Sequence, residues 1–284
     1  MNPEALENWP APAKLNLMLR VVGRRADGYH LLQTVFQFID LADRITFSWL
    51  DDGRVELAHP LPGVPPESDL TVRAVRLLQQ VSGVNRGVRM TLDKRLPMGG
   101  GLGGGSSDAA TVLVALNELW HLGLSVQSLI ELGLQLGADV PVFVKGVAAW
   151  AEGVGEYLTP LEPEESWYVV VVPACHVSTA EVFQSADLTR NNPPAKIADF
   201  LGGLYVNDCQ SVVSRLYPPV KKALDALGRY GEARLTGTGG CVFAGFGRED
   251  EARTVAGTLE GQWRVHVAKG LNRSPLQDKL TRID

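Results

Sequence analysis

The chain has 284 residues, of which 45% are hydrophobic and 21% charged, and it carries a net charge of −5. That size and balance suit one large or two ordinary globular domains with full cores, and the acidic charge argues against a nucleic-acid binder, which presents a basic face. No stretch reaches the ~18 apolar residues of a membrane helix, and Met1 to Pro10 lacks the basic-then-apolar pattern of a signal peptide, so a cytoplasmic protein without a membrane partner is expected.

Alternation from Lys14 to Val22 predicts a strand with Leu15, Leu17, Leu19 and Val21 on one face. Lys14, Asn16, Met18 and Arg20 take the other. Asp27-Gly28 is a turn signal, after which Leu32 to Leu41 resumes an apolar, β-branched and aromatic run. Separate strands are expected at Arg44 to Trp49 and Val55 to Ala58, with a loop over the proline-rich Pro60 to Pro66. Asp69 caps a helix running through Val81, in which Val72, Val75, Leu78 and Val81 lie near helical spacing. Val88 to Leu92 reads as a strand entering a glycine run. Beyond it, Ala109, Val112, Leu113, Leu116 and Trp120 predict an amphipathic helix. A second helix runs from Ser125 as N-cap to Gly137 as C-cap. Strand pieces are expected at Val142 to Val144 and Ala148 to Ala151.

Pro160 to Glu165 reads as a linker dividing the chain into residues 1–160 and 161–284. Past it come a strand at Tyr168 to Val172 and a helix at Val220 to Tyr230. Strands at Glu232 to Thr236 and Cys241 to Phe246 flank a glycine turn, and a helix at Glu249 to Leu259 leads to a strand at Trp263 to Val267. The order βαββαβ, with helical segments inserted after Cys175, suggests a ferredoxin-like second half. Cys175, Cys209 and Cys241 lie far apart and are odd in number, and His30, His59, His121, His176 and His266 show no metal-ligand spacing.

The glycine run reads Pro97-Met-Gly-Gly-Gly-Leu-Gly-Gly-Gly-Ser-Ser-Asp108. Such a run contributes no side chains and costs backbone entropy, so it belongs where backbone N–H groups approach a ligand or adopt positive φ. With Ser106 or Ser107 as N-cap, the following helix points its positive end into the loop, and donors plus dipole make an anion site. Gly99, Gly101 and Gly104 satisfy GxGxxG, but a helix rather than a strand follows the first helix, so the βαβ unit of a dinucleotide fold is missing. No lysine lies between Met98 and Asp108, as a Walker loop requires, and no HRD or DFG triplet occurs.

The pattern Pro97, Gly101-Leu102-Gly103, Gly104-Gly105, Ser106-Ser107 resembles the phosphate loop of the GHMP small-molecule kinases. Further segments agree with the branch of that family acting on 4-diphosphocytidyl-2-C-methyl-D-erythritol in the non-mevalonate isoprenoid route. They are Pro12 to Leu17, Arg25 to His30, Leu136 to Pro141 and Leu235 to Gly240. The resemblance implies an α+β, two-domain GHMP kinase fold: an N-terminal mixed α/β domain, a C-terminal ferredoxin-like domain and a cleft between them. It implies ATP, with Mg²⁺ as counter-ion, bound by Pro97, Met98, Gly99, Gly100, Gly101, Leu102, Gly103, Gly104, Gly105, Ser106 and Ser107. No carboxylate cluster names a ligand for the metal.

Lys14 and Asp139 are the implied catalytic pair, transferring the γ-phosphoryl group to the 2-hydroxyl of the cytidine diphosphate polyol. Read from the residues alone, Lys14 and Asn16 merely share a strand face and Asp139 sits in an ordinary turn. Asn16, Tyr29, His30, Thr179 and Phe183 are the implied substrate residues, with Tyr29 and Phe183 flanking the cytosine ring and His30 reading its polar edge. Gly237 to Gly240 supports the site from the second half. Another GHMP kinase and a nucleotide-binding regulator without catalysis are the rivals; the cytidine-pocket residues oppose the first and the Lys14–Asp139 pair opposes the second.

Overall fold

The computed structural model of the chain describes residues 6–26 and 28–282, so Met1 to Ala5 and the Asp27 of the expected turn lie outside the described residues. β1 (Trp9–Arg24) and β2 (His30–Leu50) form a long antiparallel pair, followed by β3 (Val55–Leu57) and a 3₁₀ turn at Pro66–Ser68. Next come α1 (Leu70–Ser82), β4 (Gly87–Asp93), α2 (Gly104–Leu119), α3 (Val126–Leu136), α4 (Val140–Lys145), β5 (Ala149–Gly153) and β6 (Tyr157–Pro160). The second half holds β7 (Trp167–Val172), α5 (Thr179–Gln184), α6 (Ile197–Leu201), α7 (Gln210–Leu216), α8 (Pro218–Leu227) and β8 (Arg234–Leu235). It ends with β9 (Val242–Phe246), α9 (Glu249–Leu259), β10 (Arg264–Leu271) and α10 (Pro275–Leu280).

One continuous sheet runs β3-β4-β2-β10-β7-β9-β8, with β1 and the β5–β6 hairpin also attached to β2. The last four strands pair antiparallel in the order β10-β7-β9-β8, the arrangement of a split-βαβ domain. The two halves are stitched where Gly270 and Leu271 of β10 pair with Ile39 and Phe38 of β2.

Three apolar clusters follow. One packs α1, α2, α3 and α4 against β2 and β4, around Phe38, Phe47, Leu78, Leu113 and Phe143. A second fills the split-βαβ half, and a third joins the halves, bringing Leu15 and Met18 of β1 together with Val170 and Phe243.

The expected helix from Asp69 forms as read: the Asp69 carboxylate accepts from the backbone N–H of Thr71 at 2.8 Å. Ser125 and Gly137 bound α3, and α9 spans the expected residues. Four expectations are corrected. The runs at Leu32 to Leu41 and Arg44 to Trp49 are one strand, β2, because β1 and β4 pair along its length and carry it through Asp40 to Asp43. Alternation in β1 does not persist: the register shifts between Asn16 and Met18, so Leu19 comes round to line the same cavity as Lys14 and Asn16. Val142 to Val144 is helix α4, with Pro141 in its first turn and Gly146 closing it at φ 70°. A three-residue apolar run carries no periodicity to distinguish the two states. Finally, α2 is buried on nearly all sides from Ser107 to Leu116 rather than amphipathic, because sheet, α1, α4 and α10 enclose it.

Candidate active site

The glycine run folds as a loop wrapped on the N-terminus of α2. Gly103, not Ser106 or Ser107, is the N-cap residue, at φ 76°; the helix opens at Gly104, and Ser107 donates its N–H to the Gly103 carbonyl at 2.8 Å. A serine at the cap would be strained by that left-handed backbone. The N–H groups of Gly104, Gly105 and Ser106 therefore have no partner within the helix and stand at its positive end. All three residues line a cavity of about 570 Å³. Ser107 is wholly buried instead, its Oγ without a partner.

Packing explains why glycine is needed here. A Cβ on Gly103 would lie 2.7 Å from the Phe143 ring and 3.2 Å from Lys14 Cε. On Gly101, also at positive φ, it would lie 2.1 Å from the Thr236 carbonyl oxygen. The second glycine turn thus touches the first, and Cys241 N–H donates to the Gly100 carbonyl at 3.0 Å.

Lys14 is 2% exposed, yet its Nζ reaches the cavity wall. It donates to Asn16 Oδ1 at 2.6 Å and to the Gly101 carbonyl at 3.0 Å, and it stands 3.3 Å from Asp139 Oδ2. Asn16 is held in turn by donating to Thr34 Oγ1 at 2.9 Å, while Thr236 Oγ1 accepts from the Asn16 N–H at 3.1 Å. Asp139 is the N-cap residue of α4 but makes no side-chain cap bond, so its carboxylate is left facing the cavity opposite the ammonium. A buried cation with fixed acceptors and a half-open carboxylate therefore meet beside a helix N-terminus.

Of the five expected substrate residues, three line the cavity, while Tyr29 and His30 lie outside its lining. Asn16, Thr179 and Phe183 line it, and Thr179 Oγ1 lies 2.8 Å from Thr238 Oγ1 on the second glycine turn. His30 stacks on Phe183, centroids 4.6 Å apart and planes 16° apart. Tyr29 stands at the surface, 62% exposed, so in this arrangement it is His30 rather than a gap facing Tyr29 that covers one face of Phe183. Burial, with Arg190 and Arg24 nearby, lowers the His30 pKa and favours the neutral ring.

Sequence reading missed a buried charge cluster behind the loop. Lys94 Nζ bridges Asp43 and Asp108, the latter at 2.8 Å, and would stand 3.1 Å from a Cβ on Gly104. Asp43 also accepts the Leu96 N–H at 2.8 Å, fixing the entry to the loop. Burial pushes the Asp108 carboxyl up to about 7 against the pull of Lys94. The only signal was position: Lys94 precedes the loop and Asp108 follows it. Asn207 and Asp208, unexplained in the sequence, are braces. Asn207 Nδ2 donates to the Leu235 and Gly237 carbonyls at 2.8 and 2.9 Å, and Asp208 Oδ2 accepts from Val21 N–H at 2.8 Å.

Among the described residues no group of three or more His, Cys, Asp or Glu gathers as a metal site, and no helix is long and apolar enough to cross a membrane.

Comparison with known proteins adds names to this geometry. The family model for the GHMP kinases N terminal domain matches residues 69–147, and that for GHMP kinases C terminal matches residues 185–264. A 4-diphosphocytidyl-2-C-methyl-D-erythritol kinase of Methylococcus capsulatus is 58% identical, over 95% of this chain and 94% of its own. One of Pseudomonas syringae pv. syringae is 57% identical over 95% and 96%. A crystal structure of 4-(cytidine 5'-diphospho)-2C-methyl-D-erythritol kinase superposes with a TM-score of 0.82 at 35% identity, covering 93% of this chain and 98% of that one. A mevalonate kinase structure shares the fold alone, with a TM-score of 0.70 at 16% identity.

Proposed function

The chain belongs to the GHMP kinases, and from that premise we propose that it phosphorylates the 2-hydroxyl of 4-diphosphocytidyl-2-C-methyl-D-erythritol with ATP. The observation that carries this reading is the Lys14–Asp139 contact of 3.3 Å beside the glycine loop, within one cavity.

The residues divide the work. Phosphates rest on the Pro97 to Ser106 loop, where unpaired N–H groups and the α2 dipole neutralise charge. Ser107 supports this loop from below, since its side chain is buried. Asp139 accepts the 2-hydroxyl proton as that oxygen attacks the γ-phosphorus in line, releasing ADP. Lys14, held by Asn16 and Gly101, orients the carboxylate and faces charge developing on the transferred group. Tyr29, His30 and Phe183 form the corner for the base, an aromatic surface suited to a pyrimidine, with Thr179 beside it. Mg²⁺, carried by ATP, would be held chiefly by phosphate oxygens and water, with Ser106 on the cavity wall the protein residue fitted to it. Bound there, it would supply charge neutralisation to the phosphates. The same proposal divides the chain near residue 160, where it leaves β6 and crosses to β7, and sets the reaction in the cytoplasm.

The test is coupled ADP release with three acceptors: the diphosphocytidyl methylerythritol, mevalonate and homoserine. Turnover should appear with the first alone. Equal turnover on an acceptor lacking cytidine diphosphate would remove the substrate and leave the family.

A further inference from the structure

Arg190 lies in the segment after α5 and takes no part in the chemistry above. Its guanidinium is fixed by carbonyls: Nη1 donates to Leu188 at 3.0 Å, and Nη2 donates to Phe183 and Ser185, both at 2.7 Å. The remaining contact is unusual, for Nε donates to His30 Nε2 at 3.2 Å. Among the described residues no carboxylate pairs with this cation. The acids of its own segment are engaged elsewhere, Glu181 with the Tyr217 hydroxyl and Asp187 with Arg215.

We infer that Arg190 is a positioning residue that holds His30 as the neutral tautomer with its proton on Nδ1, giving the pyrimidine of the acceptor one fixed hydrogen-bond donor. The inference rests on the proposed placement of the base at His30 and Phe183. Its chemistry is simple. An arginine has no acceptor, so His30 Nε2 must offer its lone pair, and a neutral imidazole then carries hydrogen on Nδ1. The groups facing the ring agree: Arg24, its partner across β1 and β2, and Arg190 from the α5 side are both cations, and Phe183 covers one face. Protonation would set an Nε2–H against the Arg190 N–H. A donor at Nδ1 suits the N3 and O2 acceptors of cytosine, whereas uracil carries hydrogen on N3 and would oppose it. Arg190 also ties the Phe183 carbonyl, so one side chain sets both the ring that stacks and the ring that reads.

The experiment uses full-length protein labelled with ¹⁵N-histidine, as wild type, Arg190→Met and Arg190→Lys. Long-range ¹⁵N–¹H spectra report which His30 nitrogen is protonated, and a titration from pH 5 to 8.5 reports when the ring charges. Wild-type His30 should carry its proton on Nδ1 in the neutral state. In Arg190→Met it should titrate at higher pH than in the wild type, with Arg190→Lys between the two. Acceptor KM is measured in parallel at pH 6 and pH 8. Each unit of pH below a histidine's pKa cuts its neutral fraction by about tenfold, so the KM ratio of Arg190→Met should exceed the wild-type ratio at least about threefold. The change should fall on acceptor KM rather than kcat, and the preference for cytidine over uridine acceptors should shrink. A merely structural role would move neither the titration nor the base preference. Hydrogen on Nε2 in the wild type, or an unshifted titration in Arg190→Met, would overturn the inference. A shifted titration with an unchanged KM ratio would overturn it through its premise, the place of His30 at the acceptor. Should Arg190→Met fail to fold, the wild-type tautomer and the Arg190→Lys titration still decide.

Discussion

The role proposed for Asp139 rests on what it does not do: as N-cap residue of α4 it could accept from the helix, yet its carboxylate turns to Lys14 instead. Asp139→Asn keeps the shape and removes the proton acceptor, so kcat should fall by about 10²- to 10⁴-fold with acceptor affinity largely kept, as single-turnover and binding measurements would show. Near-normal kcat at saturation would end the assignment. Asp108 gives a pH-dependent prediction. Its carboxyl is raised to about 7 by burial in the folded chain, against an ordinary 3.8. The folded state therefore holds this proton more tightly, and the contribution of Asp108 to stability declines as pH rises from about 4 through 7. Urea denaturation at pH 5 and pH 7.5 should show a larger loss for the wild type than for Asp108→Asn, which cannot titrate.

At the scale of elements, the proposed phosphate loop is defined by its contacts with α4 and β1 as much as by its glycines. Gly103→Ala forces a side chain into a left-handed backbone, costing about 1–2 kcal/mol, and drives Cβ toward Phe143 and Lys14. Thermal melts should show that loss, and calorimetry should show ATP binding weakened at least about tenfold. Adding Phe143→Leu, which shortens the ring that Cβ meets, should restore part of it; equal effects in both backgrounds would mean that the clash is not the cause. On α1, the Asp69 cap is worth about 1 kcal/mol, and Asp69→Ala should lower stability by roughly that amount.

Across the whole molecule, the site exists only where the two halves meet. Thr236, beside β8, accepts from Asn16 of β1 and touches the Gly101 carbonyl, while Asn207 donates to the Gly237 carbonyl of the second glycine turn and bridges to Leu19 of β1. Thr236→Val keeps the volume but leaves the Asn16 N–H buried without a partner, a cost of about 1–3 kcal/mol. It should also lower kcat, because Asn16 is one of the two acceptors that fix Lys14. Unchanged stability and turnover in Thr236→Val would show that the second half merely covers the site.

The sequence by itself determined the parts whose signals are local. Asp69, Ser125 and Gly137 mark helix ends through side chains and backbone within a turn. The βαββαβ order declares the second half, and the glycine run and the family's motifs supply the proposal of an anion loop beside Lys14 and Asp139. Tertiary structure decided what depends on distant partners. Whether β2 is one strand or two, whether Leu19 faces the cavity, and whether Val142 to Val144 is helix were set by pairing and packing. The same holds for the Lys94–Asp43–Asp108 cluster and for Arg190 against His30, where Lys94 and Asp43 are 51 positions apart and Arg190 and His30 are 160 apart. Hydrogen bonds and ion pairs act over about 3 Å regardless of separation along the chain, so only the folded backbone could bring these partners together.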